Sequence, residues 1–286
     1  MSEAAVTNYL DVIKDIDDFY ADNPLDIWCL TTDTKLTFKP LSVEQLRRLI
    51  ELQLSLQKDI SGVVAGLRVL NNFNNILQTN CFEDVDILSS LTVLDRDAVM
   101  LQLRANSKET IEVTKDDETL TVDLTDVVEN IRKATISKKL QYRIETYNYK
   151  IGDIKVDLGI PVLAVDSKVN DYLSKHLKDS YKVNDAKNVQ NNLEKILSDV
   201  FFVEVCKYIK NITITKDGTS THINFHDPDN LSQNLQLLQK LPSRIITDVS
   251  RYISDIKEFR GSVMFYINSS GEQAPLEVDA NLFIGL

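Results

Sequence analysis

The sequence predicts an α+β fold, and three observations predict it. Apolar residues recur at helical spacing in two groups, 42–106 and 185–258. Short stretches of period-2 alternation joined by polar turns lie between and after them, and nowhere does the chain follow the β-α-β order that builds a parallel sheet. The 286 residues allow one large or two modest domains. The reading divides them into an acidic amphipathic helix over 1–26, a hairpin-plus-helix lobe over 27–108, and an α+β lobe over 109–286.

Residues 1–26 predict a helix with Tyr9, Ile13, Ile16 and Tyr20 on one side and Asp11, Asp15, Asp18 and Asp22 on another. Like charges at i, i+4 oppose helix formation, so the apolar side needs something to dock on. Asp26–Leu30 and Lys35–Phe38 flank the polar turn Thr31–Thr34 as a hairpin. After Pro40, Ser42 and Gln45 form a capping box for a helix carrying Leu46, Leu49, Ile50 and Leu56. A second helix follows Gly62 with Val63, Leu67, Leu70, Ile76 and Leu77 on its stripe and Asn71, Asn72, Asn74 and Asn75 on its polar side. A third is expected to open with Asp95 as N-cap and to run to about Asn106.

After Ser107 the pattern changes. Ile111 and Val113 alternate with Leu120, Val122 and Leu124 across the turn 115–118, a hairpin signal. Two extended segments, Gln141–Lys150 and Ile154–Leu158, meet at Gly152-Asp153, and Pro161 closes them. A long helix is expected over Asp185–Lys210, with Val189, Leu193, Ile196, Val200 and Val203 in register. Ile212–Thr215 and His222–Phe225 form a hairpin through Asp217-Gly218, and Asn230–Lys240 reads as a short helix. Pro242, in the permissive first-turn position, starts a helix whose stripe runs from Ile245 to Ile256. Strands Ser262–Ile267 and Leu276–Asp279 then surround Ser270-Gly271, and the apolar tail Leu282-Phe283-Ile284 is expected to tuck against the fold or a partner.

Composition excludes several function classes. Eight glycines, with no G-x-G-x-x-G and no G-x-x-x-x-G-K-[ST], argue against a phosphate cradle. A net charge of −11 argues against a chain built to neutralise a nucleic-acid backbone. The charge is uneven: a net of −6 sits in residues 1–26, and a net of +5 in residues 130–150, which carry Arg132, Lys133, Lys138, Lys139, Arg143 and Lys150 against Glu145. The acidic face reads either as solvated or as a docking element for a basic partner. The basic segment reads as a protein contact, with an acidic helix like 1–26 of the same or a neighbouring copy as one such partner. Its interleaved Tyr142, Tyr147 and Tyr149 leave nucleic acid as a less favoured reading and a solvated face as the plain one.

Cys29, Cys81 and Cys206 fit no metal or redox spacing and read as reduced and mostly buried. No basic-then-apolar opening suggests a secretory signal, and no run is apolar enough to span a bilayer, so a soluble, unsecreted protein is expected. His222 and His226 invite a metal site, but four residues of strand separate them by about 13 Å, too far for one ion. His176 stands alone. Glu83, Asp84 and Asp86 read as loop caps, without EF-hand spacing. Neither a G-x-S-x-G elbow nor a thiol-nucleophile signature occurs. No catalytic, cofactor-binding or metal-binding residue is assigned, and an enzyme would need a carboxylate and tyrosine site that only tertiary structure assembles.

The order of several segments resembles the baseplate hub proteins of T-even-type bacteriophages. Leu36-Thr37-Phe38-Lys39-Pro40-Leu41 before a Leu-rich helix resembles that family's opening. Cys81 with Asp84-Val85-Asp86-Ile87 and Leu91 follows, then Asp95-Arg96 leading into Leu101-Gln102-Leu103-Arg104-Ala105-Asn106-Ser107, which is similar to the family's L-x-L-R-A-x-S stretch. Gly152–Val156 with Gly159-Ile160-Pro161, then Lys207–Ile212, Leu241-Pro242, Gly271 and Asp279–Phe283, continue in the same order. The tail Leu282-Phe283 departs from the family's paired aromatics, and the cysteine pairs of some members have no counterpart here, so no metal knuckle is carried over. The resemblance implies a non-enzymatic structural or assembly component of a contractile-tail baseplate hub, without cofactors, in the virion or in the host cytoplasm during assembly. Its partners would be other hub or tail proteins, or a second copy of the chain. Asp11, Asp15, Asp18, Asp22, Arg132, Lys133, Lys138, Lys139, Arg143 and Phe283 are the candidate contact residues.

Overall fold

The computed structural model describes residue 16 and residues 18–32, 34–56, 61–115, 118–134, 146–149, 153–181, 198 and 200–283. The chain is α+β, and among the described residues every strand pair is antiparallel. The helix of the N-terminal segment ends by residue 22, not at 26, because Leu25–Trp28 is already strand β1. It pairs with β2 (Lys35–Phe38) in the register Leu25↔Phe38, so Ile27 and Phe38 are buried while Asp26 stays outside and bonds to Lys35.

Helix α1 (Val43–Leu56) opens on the expected capping box: Gln45 N–H donates to Ser42 Oγ at 3.2 Å, and Ser42 N–H donates to Gln45 Oε1 at 2.9 Å. It packs against α2 (Ser61–Asn80), whose asparagine face is split: Asn75 is exposed, Asn71 and Asn72 are half-buried and Asn74 points into the core. Asn74 and Asn80 are buried, and Asn80 Nδ2 holds the Lys39 and Pro40 carbonyls at 3.2 Å, clamping the loop into α1.

After the short α3 (Ile87–Ser90), capped by Asp86, comes α4 (Val93–Ser107), the most buried helix of the first half. Its N-cap is Thr92, not Asp95. Asp95 is the third helical residue, and its carboxylate closes the capping box on Thr92 N–H at 2.9 Å. The same carboxylate accepts from Thr31 N–H at 2.6 Å, and Gln102 brackets Trp28 with bonds of 3.0 and 2.8 Å, so one face of α4 carries the first hairpin.

Strands β3 (Thr110–Lys115) and β4 (Glu118–Asp123) form the expected hairpin, and β4 runs directly into α5 (Leu124–Lys133), a helix the period-2 reading passed over. Next, β5 (Thr146–Tyr149) and β6 (Ile154–Leu158) open a four-stranded sheet completed by β7 (Ile209–Lys216) and β8 (Thr219–Asn224), in sequential order. Helix α6 (Leu163–Tyr181) crosses between β6 and β7 and buries Leu163, Val165, Val169 and Leu173. The sequence reading placed no helix there, although these residues have helical spacing.

The helix expected to reach Lys210 ends at residue 206, because Ile209 and Lys210 join β7. Most of that expected helix, from Asp185 on, lies outside the described residues, as does the part of Gln141–Lys150 before Thr146. Asp217 and Gly218 take left-handed φ values of 51° and 77°, the primed two-residue turn for which Asp-Gly is suited.

Helix α7 (Leu231–Leu238) precedes α8 (Ser243–Val263), for which Pro242 is the N-cap rather than a first-turn residue. Helix α8 also takes in Ser262 and Val263, so the final strands are shorter and shifted: β9 is Phe265–Ile267 and β10 is Gln273–Pro275.

One hydrophobic core cluster runs from Ile27 to Phe283 and draws on both proposed lobes. The boundary expected near 108 therefore separates no two cores; α2 packs on α6, and α4 packs on α5 and α6, across it.

Candidate functional site

The most distinctive chemistry is a chain of alternating charges that passes through the core. It begins where the loops before α4 and α6 meet. Thr92 bridges Val162, Val93 N–H donates to the Pro161 carbonyl at 3.1 Å, and Leu163 N–H donates to the Leu91 carbonyl at 2.9 Å. The two helices thus start side by side, and the fourth residue of each, Arg96 and Asp166, is brought face to face.

Asp166 has no exposed surface, yet it is fully engaged. Its Oδ2 accepts from Arg96 Nη1 at 2.5 Å and from Asn170 Nδ2 at 3.2 Å, and its Oδ1 accepts from Lys207 Nζ at 3.0 Å. Lys207 also pairs with Glu204 at 2.6 Å. Arg96 Nη1 also donates to Asn74 Oδ1 at 3.3 Å, and Arg96 Nε lies 3.6 Å from Asp97, which binds Arg260 at 2.8 Å; Arg260 reaches Glu277 at 3.4 Å. The order Glu204, Lys207, Asp166, Arg96, Asp97, Arg260, Glu277 alternates sign throughout and ends on the half-buried Glu204 at one side and the exposed Glu277 at the other.

Burial alone would push the Asp166 carboxyl up, but the Lys207 and Arg96 charges outweigh it and hold it well below the usual aspartate range. Burial would likewise lower Arg96 and Lys207, and the facing carboxylates raise both instead. All three are charged at neutral pH, so the node neither gives nor takes a proton there. What it does is sew α4, α6, α8, the segment after β10 and the turn before β7 to one another, at the desolvation cost that only such pairing offsets.

A third buried cation works without a carboxylate. Arg104 on α4 has no exposed surface and donates to three backbone carbonyls: Leu282 at 2.7 Å, Lys108 at 2.5 Å and Thr110 at 3.1 Å. One guanidinium therefore caps the C-terminal end of α4, anchors the start of β3 and ties in the final 3-10 turn, Ala280–Phe283. Burial lowers its proton affinity from the ordinary arginine value.

The contact residues chosen from sequence are distributed as follows. Asp18 and Asp22 are exposed one helical turn apart, while Asp11 and Asp15 lie outside the described residues. Arg132 and Lys133 occupy the exposed last turn of α5, where cations suit the helix dipole, and both reach Glu129, at 3.5 and 3.3 Å. Lys138, Lys139 and Arg143 lie outside the described residues. Among the described residues no ion pair joins Asp18 or Asp22 to Arg132 or Lys133.

Phe283 is corrected outright. It is fully buried, 5.6 Å from Phe73 between ring centroids, so it anchors this chain's own tail and offers nothing to a partner.

No protein-family model, curated protein or solved structure matches this chain.

The remaining sequence candidates have local partners. His222 Nδ1 lies 3.0 Å from Thr213 Oγ1, and His226 Nε2 bonds to the Lys207 carbonyl at 2.9 Å. Burial pushes His226 below its ordinary value. Glu83 accepts from Thr37 N–H at 2.7 Å and from Cys81 Sγ at 3.0 Å, which joins the loop after α2 to β2. Burial drives Cys29, Cys81 and Cys206 up to about 12. Among the described residues no group of three or more His, Cys, Asp or Glu could hold a metal, and no helix is long and apolar enough to cross a membrane.

Sequence reasoning missed Asp166, the centre of the node. The signal was Pro161 followed by apolar residues at 165, 169 and 173, a helix start with an acid in its first turn.

Proposed function

We propose that this chain is a non-enzymatic structural or assembly component of a contractile-tail phage baseplate hub, acting through protein–protein contacts. The observation that carries the reading is spatial. The blocks in which the chain resembles that family are scattered from Leu36 to Phe283, and they hold Arg96, Arg104, Lys207 and the Leu282 carbonyl that Arg104 binds. Three buried cations thus fall inside the resembling blocks: Arg104 ties two blocks together directly, and Arg96 and Lys207 are joined through Asp166, which lies just beyond a block. A shared ordered pattern on a single structural frame is what a common scaffold would leave behind, since buried charge networks tolerate few substitutions.

Contacts would be made by the exposed apolar side chains that the frame leaves over. Val43, Ile50 and Leu54 follow one another along α1, with Val43 83% exposed, and are flanked by the Arg47–Glu51 and Arg48–Glu44 ion pairs; Phe19 stands out beside the acidic Asp18 and Asp22. Apolar anchors supply binding energy, and the surrounding charges orient the encounter. The partners would be other hub or tail proteins.

The test is compositional. Mass spectrometry of purified baseplates and of baseplate assembly intermediates from the source phage should find the chain in one or both. Its absence from both refutes the reading.

A further inference from the structure

The two small sheets, β3–β4 and β9–β10, bound a groove of about 760 Å³. One wall is Ile111, Glu112, Val113 and Thr114, four consecutive residues of β3; the other is residues 274–277, the end of β10 and its continuation. Side chains of consecutive strand residues point to opposite faces. A groove that touches all four therefore wraps the edge of β3 rather than lying on one face. Among the described residues β3 pairs with β4 alone, so its other edge presents backbone N–H and C=O groups that no strand uses.

The floor is apolar, with the buried Tyr266 and Leu282 beneath. The rim is acidic: Glu112 and Glu277 are exposed, Asp279 is half-buried, and no lysine or arginine lines the groove among the described residues. Arg260 approaches Glu277 at 3.4 Å but is held more closely by Asp97 at 2.8 Å, so it offsets part of one of the three charges.

We infer that this groove receives an extended, basic peptide segment of a partner protein, which adds a strand to the free edge of β3. Backbone pairing over four residues, about 13 Å of strand, supplies affinity, and alternation supplies selectivity: apolar side chains turn to the floor and lysines or arginines to the rim. The inference goes beyond the baseplate reading and does not depend on it, because it specifies the ligand's chemistry whichever assembly the chain serves.

The test uses the full chain and a fluorescein-labelled peptide of alternating valine and lysine, followed by anisotropy at physiological salt. The peptide should bind and slow amide exchange at residues 111–114. A valine–glutamate peptide, or the valine–lysine peptide with alternate amides N-methylated, should bind at least about tenfold more weakly. The double variant Glu112→Lys/Glu277→Gln should lose at least about tenfold in affinity while still melting cooperatively, with a Tm no more than about 4 °C below the parent's, since the Arg260–Glu277 pair it loses is largely exposed on the glutamate side. Asp18→Lys/Asp22→Lys, which removes acid elsewhere, should bind as the parent does. No binding of the valine–lysine peptide, equal binding of the glutamate or N-methylated peptide, or equal loss in the two double variants each overturns the inference.

Discussion

Replacing Asp166 with asparagine keeps its shape and removes the one negative charge that Arg96 and Lys207 share. Breaking a buried ion pair by deleting one partner costs about 3–5 kcal/mol, because the other charge is left desolvated. Here two cations are stranded but neither completely: Lys207 keeps Glu204 at 2.6 Å, and Arg96 keeps Asp97 at 3.6 Å. The asparagine oxygen can still accept one of their hydrogen bonds. The expected loss therefore sits at the lower end, about 3 kcal/mol, which lowers Tm by roughly 6–12 °C in a chain of this size. Thermal melts at pH 7 followed by circular dichroism measure it.

The pH dependence sharpens the test. Asp166 is held below its ordinary value in the folded chain, so its contribution is complete above the unfolded aspartate range and is lost as pH falls below about 4. The gap in stability between the parent and Asp166→Asn should be constant near neutrality and narrow in acid. Adding Lys207→Met to Asp166→Asn should recover part of the loss, since it removes a stranded charge. A Tm shift under about 2 °C at pH 7, or a gap that widens in acid, would refute the buried-node argument.

Other outcomes follow from the same geometry. Arg104→Met should cost about 3 kcal/mol by leaving the buried Leu282 carbonyl and the part-buried Lys108 and Thr110 carbonyls without their donor, and Arg104→Lys should not rescue it, because an ammonium cannot span the fork; urea unfolding of both variants checks this. Phe283→Ala should destabilise by about 3–5 kcal/mol by emptying the space against Phe73, where a partner-facing residue would leave the melt unchanged. The three thiols, raised to about 12 by burial, should react slowly with an aromatic disulfide reagent in native protein at pH 8 and fully in guanidinium; rapid native labelling of Cys29 or Cys206 would contradict their placement. Reversing Asp11, Asp15, Asp18 and Asp22 to lysine should weaken co-purification with tail proteins while the melt of the folded body stays within about 0.5 kcal/mol; unchanged association at physiological salt would show a merely solvated face.

What was legible in the sequence was local. The first hairpin, the Ser42–Gln45 box, the Asp-Gly turn after β7 and the stripe of α8 each depend on residues within a few positions of one another, and each is present. Boundaries failed where a later segment competed. Leu25 and Asp26 left the N-terminal helix for a strand because Phe38 and Thr37 were there to pair, and Ile209 and Lys210 left theirs for β7 because β6 and β8 flank it. Helical periodicity cannot register a partner that lies far along the chain.

The alternation of charge and apolarity along the chain by itself determined the α+β class and the antiparallel hairpins, because turn chemistry and side-chain period are properties of neighbours. Only the tertiary structure decided what the charges are for. Asp166 and Arg96 are 70 residues apart and Arg104 and Leu282 are 178 apart. In sequence Asp166, Arg96 and Arg104 are three more charged residues in a chain that is 26% charged, and Leu282 is one more apolar one. Their meaning comes from desolvation, which exists only once the core has closed around them and each buried charge has to find its opposite or a carbonyl.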